Sequence, residues 1–306
     1  MLIVNSELSY SYHPIMHYIP KRLRKLFLTI KLDSVEEIRL RKGKPIMIYG
    51  KFIPQYVGKK EISPVLKDDM PIVTEEDINE ALELISASSL YAVEDRLKNG
   101  YITVTGGHRI GFCGSAVLKN GRVCTIKNIS GLNYRISREI NGAGDVVINS
   151  IMRGKKILNT LIISPPGCGK TTLLRDVIRQ ISQKGIRVSV ADERNEISAL
   201  HNGFCGFDLG ASCDILEGAS KEEAMAILIR SMGPEVIATD EIGTAADVSV
   251  IKKAIQSGVC VISTIHSDNR EALMKKHADI AECFECMITL SHRNGPGTIE
   301  EIYCGI

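Results

Sequence analysis

The spacing of apolar residues changes along the chain, from an irregular first half to a regular second half. In the first half, Ile38 and Leu40 alternate with arginines inside the segment 35–52, which predicts two strands around a turn at Gly43. From Thr74 onward, acidic residues come first and apolar residues follow at helical spacing. This pattern predicts a helix that is capped by Thr74.

After residue 100 the pattern changes to that of β-hairpins, with repeated glycines, alternating apolar positions and an Asn120-Gly121 turn signal. We therefore interpret residues 1–145 as a small α+β domain. The segment INGAGDVV (140–147) contains two glycines and has the composition of a linker.

Strand and helix patterns alternate regularly in residues 146–306. The predicted strands are the almost continuously apolar runs LNTLIIS, IRVSVADE, PEVIATDE and VCVISTIH. The predicted helices between them are KTTLLRDVIRQISQ, KEEAMAILIRSM and AADVSVIKKAIQSG. Apolar strands separated by helices are typical of a parallel sheet that is covered on both faces. We therefore expect an α/β domain here.

The composition is that of a globular protein, with 44% apolar and 24% charged residues among 306. The net charge of +2 gives no argument for nucleic-acid binding. The first 145 residues carry 21 Lys and Arg against 16 Asp and Glu, and the remainder carry 17 against 20. This asymmetry predicts two domains with different partners. No apolar run approaches the ~20 residues that a membrane-spanning helix needs.

Nine cysteines are scattered along the chain, and the first residues, MLIVNSELSYSYHP, lack the pattern of a secretory leader. We therefore expect free thiols in a reducing cytoplasm. Cys283 and Cys286 form one C-x-x-C pair, but no second pair follows at metal-ligand spacing. Because a structural zinc site needs about four ligands, we do not expect zinc.

A glycine-rich stretch follows the first strand of the α/β domain and opens a helix, which is the context of a phosphate-binding loop. The usual pattern G-x-x-x-x-G-K-[ST] has glycine where this chain has Ser164, but a serine can also turn at a strand end. The expected nucleotide-binding residues are Ser164, Pro165, Pro166, Gly167, Cys168, Gly169, Lys170, Thr171 and Thr172.

The chemistry of this loop predicts ATP and Mg²⁺ as its ligands. Backbone N–H groups of residues 167–172 can surround the phosphates at the helix N-terminus. Gly167 and Gly169 permit positive φ and close approach. Lys170 meets the phosphate charge, and the Thr171 hydroxyl can reach Mg²⁺.

Further candidate residues end the neighbouring strands. The run EVIATDE ends in Asp240, placed to hold Mg²⁺ through water, and Glu241, placed to orient or deprotonate the attacking water. The run IRVSVADE ends in Asp192 and Glu193, and VCVISTIH ends in His266. The carboxyl ends of parallel strands form the edge where α/β sheets bind ligands.

These segments together resemble a known family. They are SPPGCGKTTLLRD, VADERNEI, AILIRSMGPEVIATDEIG and ISTIHSD, joined in the first half by EEIRLRKGKPIMI, GGHRIGFCGSAV and NYRISREI. The set resembles the hexameric ATPases of the type II/type IV secretion superfamily. More closely, it resembles the stage III AA family of sporulation ATPases in endospore-forming bacteria. The resemblance implies a RecA-like P-loop NTPase domain preceded by a smaller α+β domain.

The resemblance also implies roles for individual residues. Lys170 and Thr171 match the loop lysine and threonine, Glu241 matches the catalytic glutamate, and His266 matches the histidine box. Such ATPases also have a group of acidic residues, the acidic box, after the second strand, and either Asp192 or Glu193 matches it. Asp240 is a departure, because secretion ATPases often have glycine there.

Other implied features concern the assembly. Such ATPases place arginines against the nucleotide at subunit interfaces, and the candidates are Arg109, Arg135, Arg138 and Arg230. The implied protein is a homo-hexamer that serves membrane-embedded subunits of a secretion-like channel. It would be cytoplasmic and peripheral at the inner membrane, on the mother-cell side of the forespore septum.

Alternatives remain open on the sequence alone. A nucleic-acid motor on the same core is the main rival, although aromatic residues make up only 5% and Trp is absent. A small-molecule kinase would need an acceptor pocket and a lid, and no lid segment is evident. The segment YIPKRLRKLFLTI (18–30) predicts a basic helix after Pro20, either on a membrane surface or packed with a solvated face.

Overall fold

A computed structural model describes residues 13–27, 30, 32–50, 54–59, 61–86, 100–119, 121–154, 156–200 and 203–305. The chain divides into two compact units, Met1–Arg138 and Glu139–Ile306. The division lies shortly before the boundary after residue 145 that the sequence suggests.

The first unit is an antiparallel sheet with short helices. Its α-helices are α1 (Lys21–Arg24) and α2 (Glu75–Ser86), and its 3₁₀ helices are Pro14–Tyr18, Lys25–Phe27 and Leu32–Ser34. Its strands are β1 (Val35–Arg41), β2 (Met47–Gly50), β3 (Gln55–Val57), β4 (Ile62–Ser63), β5 (Tyr101–Val104), β6 (His108–Lys119) and β7 (Arg122–Arg135). The strand order is β4-β3-β2-β1-β7-β6-β5.

Local sequence patterns in the first unit form as predicted. Ile38 and Leu40 are fully buried on β1, and Gly43 has a φ of 73° in the turn that leads towards β2. Thr74 and Asp77 cap α2 reciprocally, since the Asp77 N–H donates to Thr74 Oγ1 and the Thr74 N–H donates to the Asp77 carboxylate. The remainder of the predicted helix, 87–89, lies outside the described residues.

The basic segment 18–30 forms less helix than its pattern predicts. The α-helix ends at Arg24 and continues only as a 3₁₀ turn to Phe27, while residues 28 and 29 lie outside the described part. Leu23 and Phe27 are buried in the core of the unit. The apolar side chains of this segment therefore pack into their own unit, while Lys21 and Lys25 are exposed. Among the described residues, the structure contains no helix long and apolar enough to cross a membrane.

The second unit is a mostly parallel α/β sheet. Its helices are α3 (Ile148–Ile151), α4 (Lys170–Gln183), α5 (Lys221–Ser231), α6 (Ala245–Gln256), α7 (Arg270–Lys276) and α8 (Ala278–Ala281). Its strands are β8 (Met152–Arg153), β9 (Lys156–Ile157), β10 (Thr160–Ser164), β11 (Val188–Asp192), β12 (Cys213–Glu217), β13 (Val236–Ile242), β14 (Cys260–His266), β15 (Cys286–Ser291) and β16 (Thr298–Cys304).

The order of the main sheet is β12-β11-β13-β14-β10-β15-β16. All neighbouring strands are parallel except β15 and β16. Successive residues of β10 face opposite sides: Ile162 packs into the cluster that contains α4, and Ile163 into the cluster that contains α6. The sheet is therefore covered on both faces, as the apolar strands predict, and its parallel strands end at one edge.

The sequence patterns do not predict β12, β15 and β16. Every residue of β12 is only half-buried, which leaves no clear apolar pattern. Cys286 on β15 and Cys304 on β16 are register partners and are joined by a disulfide. The expectation of free thiols is therefore wrong for these two residues, and Cys286 is not available to form a metal pair with Cys283.

Candidate functional site

The phosphate-binding loop connects β10 to α4. Gly167 and Gly169 have φ values of 77° and 88°, which favour glycine. Gly169 is the N-cap of α4, and no side chain caps the helix. The first N–H groups of a helix have no partners within it. They are therefore available to an anion at this point.

Ser164 replaces the usual glycine without backbone strain. Among the described residues, the non-glycine positions with positive φ are Asn128, Asn195 and Ala199, so Ser164 does not require glycine. Its hydroxyl donates to the carbonyl of Pro165 at 2.8 Å. A serine therefore fits the end of β10.

Lys170 lies in the first turn of α4 and is 7% exposed. Its Nζ donates to the carbonyls of Ser164 at 3.1 Å and Pro165 at 3.2 Å, and it lies 2.8 Å from Nδ1 of His266. Burial lowers the pKa of Lys170, and the nearby Glu241 carboxylate opposes that shift. The ammonium is thus held at the loop by neutral acceptors.

His266 links Lys170 to Glu241. His266 ends β14, and its Nε2 lies 3.1 Å from Oε2 of Glu241 on β13. Because a lysine ammonium can only donate, Nδ1 accepts and the ring proton of the neutral imidazole is assigned to Nε2. That proton points to the Glu241 carboxylate, which also lies 3.8 Å from Nη1 of Arg194.

Asp240 is held by a lysine that the sequence patterns do not identify. Nζ of Lys221, at the start of α5, lies 2.9 Å from Oε2 of Glu193 and 3.2 Å from Oδ1 of Asp240. Asp240 is 5% exposed. Its burial raises the pKa to about 6, although Lys221 opposes the shift. Only the fold reveals this contact, because residue 221 lies on a helix between two strands.

The two acids after β11 have different surroundings. Asp192 is fully buried, and its carboxylate accepts from the N–H groups of Glu196, Ile197 and Ser198. Asp192 therefore shapes the turn that follows β11. Glu193 is 42% exposed and faces Lys221.

The residues at this edge fit a magnesium ion that accompanies a nucleotide. Mg²⁺ prefers oxygen ligands and usually takes one or two from protein in addition to phosphate and water. Thr171 offers a hydroxyl in the first turn of α4. Neither buried carboxylate oxygen of Asp240 has a hydrogen bond of good geometry, although Lys221 is within ion-pair distance. No cluster of three or more His, Cys, Asp and Glu that could hold a metal occurs in the described ranges.

Three candidate arginines lie in the first unit. Arg109 and Arg135 are register partners on β6 and β7. Nε of Arg135 lies 3.6 Å from Oε1 of Glu37, and Arg138 donates to the Val35 carbonyl at 2.8 Å. Their contacts within the unit are thus defined, and a role at the nucleotide stays a prediction.

Arg230 lies far from these strand-end residues within its own chain. It is in the last turn of α5 and donates to the Ala226 carbonyl. Lys221, at the other end of this helix, contacts the acids, so Arg230 is about 13 Å further along the axis at 1.5 Å per residue. A role for Arg230 at the nucleotide stays a prediction.

Comparison of sequences identifies relatives along almost the entire chain. A family model described as Sporulation stage III, protein AA matches residues 11–305. Stage III sporulation protein AA of Bacillus subtilis (strain 168) is 34% identical over 280 residues, covering 88% of this chain and 87% of that protein. An uncharacterized protein, ycf45, of Cyanidium caldarium is 33% identical over 162 residues, covering 50% of this chain and 47% of its own length.

Comparison of structures identifies the fold. The ATPase DotB of Legionella pneumophila has a TM-score of 0.54 and 17% identity, covering 87% of this chain and 74% of its own. The pilus retraction motor PilT, solved with bound ADP, has a TM-score of 0.54 and 16% identity. The match covers 86% of this chain and 77% of the PilT chain. The prediction of a RecA-like fold is confirmed. On the strength of the nearly full-length match and the 34% identical relative, the chain belongs to the Sporulation stage III, protein AA family.

Proposed function

We propose that this protein is a Mg²⁺-dependent ATPase that works as an oligomer, most simply a hexamer. The observation that carries the proposal is the continuous contact from Lys170 through His266 to Glu241, next to a helix N-terminus that no side chain caps. It joins a phosphate-binding cation to a carboxylate that can act on water. The fold shared with the ATPase DotB and with the pilus retraction motor PilT, which was solved with bound ADP, supports nucleotide chemistry in general.

The proposed reaction is in-line attack of water on the γ-phosphate. The N–H groups of residues 167–172 and the Lys170 ammonium bind the phosphates. Glu241 orients or deprotonates the water. His266 keeps the Glu241 carboxylate in place and senses the γ-phosphate by donating a hydrogen bond to it. When bound, Mg²⁺ would supply charge neutralisation, and Thr171 and Asp240 would hold it.

The remaining candidates have supporting roles in this proposal. Glu193, exposed at the strand edge, is the acidic-box residue, whereas Asp192 holds the turn after β11 in shape. Arg109, Arg135, Arg138 and Arg230 are the candidates for contact with nucleotide at subunit interfaces.

The biological setting follows from the family. We propose that hydrolysis drives or assembles a secretion-like channel across the envelope during endospore formation, with membrane-embedded subunits as partners. The protein would act in the cytoplasm, at the inner membrane. Because Leu23 and Phe27 are buried in the core of their own unit, these side chains are not available for insertion into lipid.

Two measurements on the purified protein test the proposal. Phosphate release from ATP should require Mg²⁺ and proceed without any acceptor molecule, whereas release that depends on an acceptor would indicate a kinase. The mass of the assembly should rise to that of a hexamer with ATP·Mg²⁺. A monomer under all conditions would contradict the ring, and salt-sensitive DNA binding with DNA-stimulated hydrolysis would favour a nucleic-acid motor.

A further inference from the structure

The turn between β15 and β16 contacts the phosphate-binding loop. This turn, residues 292–297, connects the two strands that the sequence patterns did not predict. The N–H of Gly297 donates to the carbonyl of Cys168 at 2.9 Å. Cys168 is in the middle of the loop and is 1% exposed. The loop is therefore fixed from outside by a segment more than a hundred residues later in the chain.

This hydrogen bond sets the direction of one peptide group. The peptide between Cys168 and Gly169 is trans, as are all described peptides. In a planar trans peptide the C=O and N–H point in opposite directions. Because the Cys168 carbonyl points to Gly297, the Gly169 N–H points away from the turn. It is an N–H at the start of α4, where phosphate would bind.

The backbones of the turn and the loop approach closely. A Cβ on Gly169 would lie 3.3 Å from N and 3.4 Å from Cα of Gly297, and a Cβ on Gly167 would lie 3.6 Å from Nε2 of His292. The absence of side chains at Gly167 and Gly169 thus allows the turn to approach the loop closely, in addition to allowing their positive φ.

The turn is held in shape by its own hydrogen bonds. The Gly295 N–H donates to the His292 carbonyl at 3.0 Å, and Thr298 Oγ1 donates to the Gly295 carbonyl at 2.8 Å. The Asn294 N–H donates to Thr298 Oγ1 at 3.2 Å. Gly295 and Gly297 have φ values of 105° and 88°. The turn therefore presents the Gly297 N–H from a defined position.

We propose that residues 292–297 are a clamp that presets the phosphate-binding loop for a triphosphate, with Gly297 as the positioning residue. The clamp removes the need for the loop to order itself when phosphate binds, and such preorganisation increases affinity. The inference rests on the proposed nucleotide function of the loop. It adds a segment outside the loop and the strand-end acids to the binding apparatus.

The first test does not depend on nucleotide. Hydrogen exchange measured by NMR on the ligand-free protein should find the exposed Gly297 amide protected by its bond to Cys168. Exchange of the Gly297 amide at the rate of an unstructured peptide would overturn the clamp, even if the protein proves to be an ATPase.

The second test compares variants by their affinity for ATP and for inorganic tripolyphosphate. Gly297→Ala strains a residue with positive φ and shifts its N–H. Pro296→Gly loosens the turn without steric conflict. Gly258→Ala is the matched control, because it introduces similar strain at an exposed glycine with a φ of 78° that follows α6 and lies outside the clamp. Melting temperatures without ligand report any loss of fold.

Gly297→Ala should weaken binding of ATP and of tripolyphosphate by the same factor, about three- to tenfold, as expected for loss of one hydrogen bond. Pro296→Gly should cause a smaller loss of the same kind, and Gly258→Ala should leave both affinities at the wild-type value. Equal losses for Gly297→Ala and Gly258→Ala, or a loss for ATP without one for tripolyphosphate, would overturn the clamp. A wild-type protein that binds neither ligand would instead contradict the proposed function.

Discussion

Nζ of Lys170 lies 2.8 Å from Nδ1 of His266, 96 residues later in the chain. The parallel pairing of β10 with β14 creates this contact, because it places Ser164 and His266 opposite each other at the ends of their strands. The first residue of α4 and the last residue of β14 therefore meet at one edge of the sheet. His266 is also the residue through which Glu241 is connected to the loop.

Replacement of His266 should uncouple the catalytic carboxylate from the phosphate-binding lysine. We expect His266→Ala to lower kcat by about 10- to 100-fold, because loss of the group that positions Glu241 should remove only part of the general-base contribution. The KM for ATP should change little. Steady-state phosphate release measures both constants. His277→Ala, at the junction of two short helices, is the control and should keep the wild-type kcat. An unchanged kcat in His266→Ala would remove His266 from the mechanism.

Glu241→Gln should separate binding from hydrolysis. The amide keeps the size of the side chain but cannot accept a proton, so kcat should fall by about 100-fold or more. The dissociation constant for ATP should stay within about threefold of wild type, because phosphate binding rests on the loop. Glu235→Gln, just before the same strand, is the matched control. Hydrolysis at the wild-type rate in Glu241→Gln would assign the base elsewhere.

Loss of Lys221 should destabilise the second unit. Lys221→Ala leaves the buried Asp240 without its ion-pair partner, and we expect the free energy of unfolding to fall by about 1–3 kcal/mol. Lys253→Ala breaks an exposed ion pair with Glu222 and should change the free energy of unfolding by less than about 1 kcal/mol. Chemical denaturation in EDTA, followed by circular dichroism, compares the two. Equal effects would mean that the contact with Asp240 contributes no more than a surface pair.

The stability of the first unit should depend on the ionisation of His108. Burial, with a smaller contribution from the stacked His13, lowers the pKa of His108 to about 4. The unfolded chain, with an ordinary pKa near 6.5, binds the proton first, so stability falls as pH drops from about 6.5 towards 4. The contribution of His108 should be about 2 kcal/mol smaller at pH 5 than at pH 7.

Urea unfolding followed by tyrosine fluorescence measures this dependence, since eight of the nine tyrosines precede residue 139. His108→Gln should reduce the difference between pH 7 and pH 5 by about that amount. The exposed His17, replaced by Gln, is the control and should leave the difference unchanged. The same pH dependence in His108→Gln as in wild type would show that other groups are responsible.

The sequence patterns predict β10, β11, β13 and β14 because these strands are buried and read as continuous apolar runs. The inner strand β15 is also buried but is not predicted. The helix KTTLLRDVIRQISQ begins and ends at the predicted residues, Lys170 and Gln183. The half-buried β12 at the sheet edge lacks such a run and is not predicted. In the first unit, segment 18–30 has a helical pattern, but it forms only one α-helical turn and a 3₁₀ turn.

The candidate site is predictable where residue type and local position coincide, as for Lys170, Glu241 and His266. Contacts that depend on the tertiary fold are not predictable from these local patterns. Lys221 has no motif around it, and only the packing of α5 brings it to Asp240. Asp192 carries a chemically suitable side chain, but the structure uses that carboxylate to hold the following turn.

Phosphate release from ATP·Mg²⁺ by wild type and by Lys170→Ala tests the central claim most directly. Lys184→Ala, an exposed lysine at the other end of α4, is the matched control. We predict Mg²⁺-dependent release by wild type and by Lys184→Ala, and release at the background rate by Lys170→Ala. Ordinary turnover in Lys170→Ala would contradict the assignment of this loop as the nucleotide site.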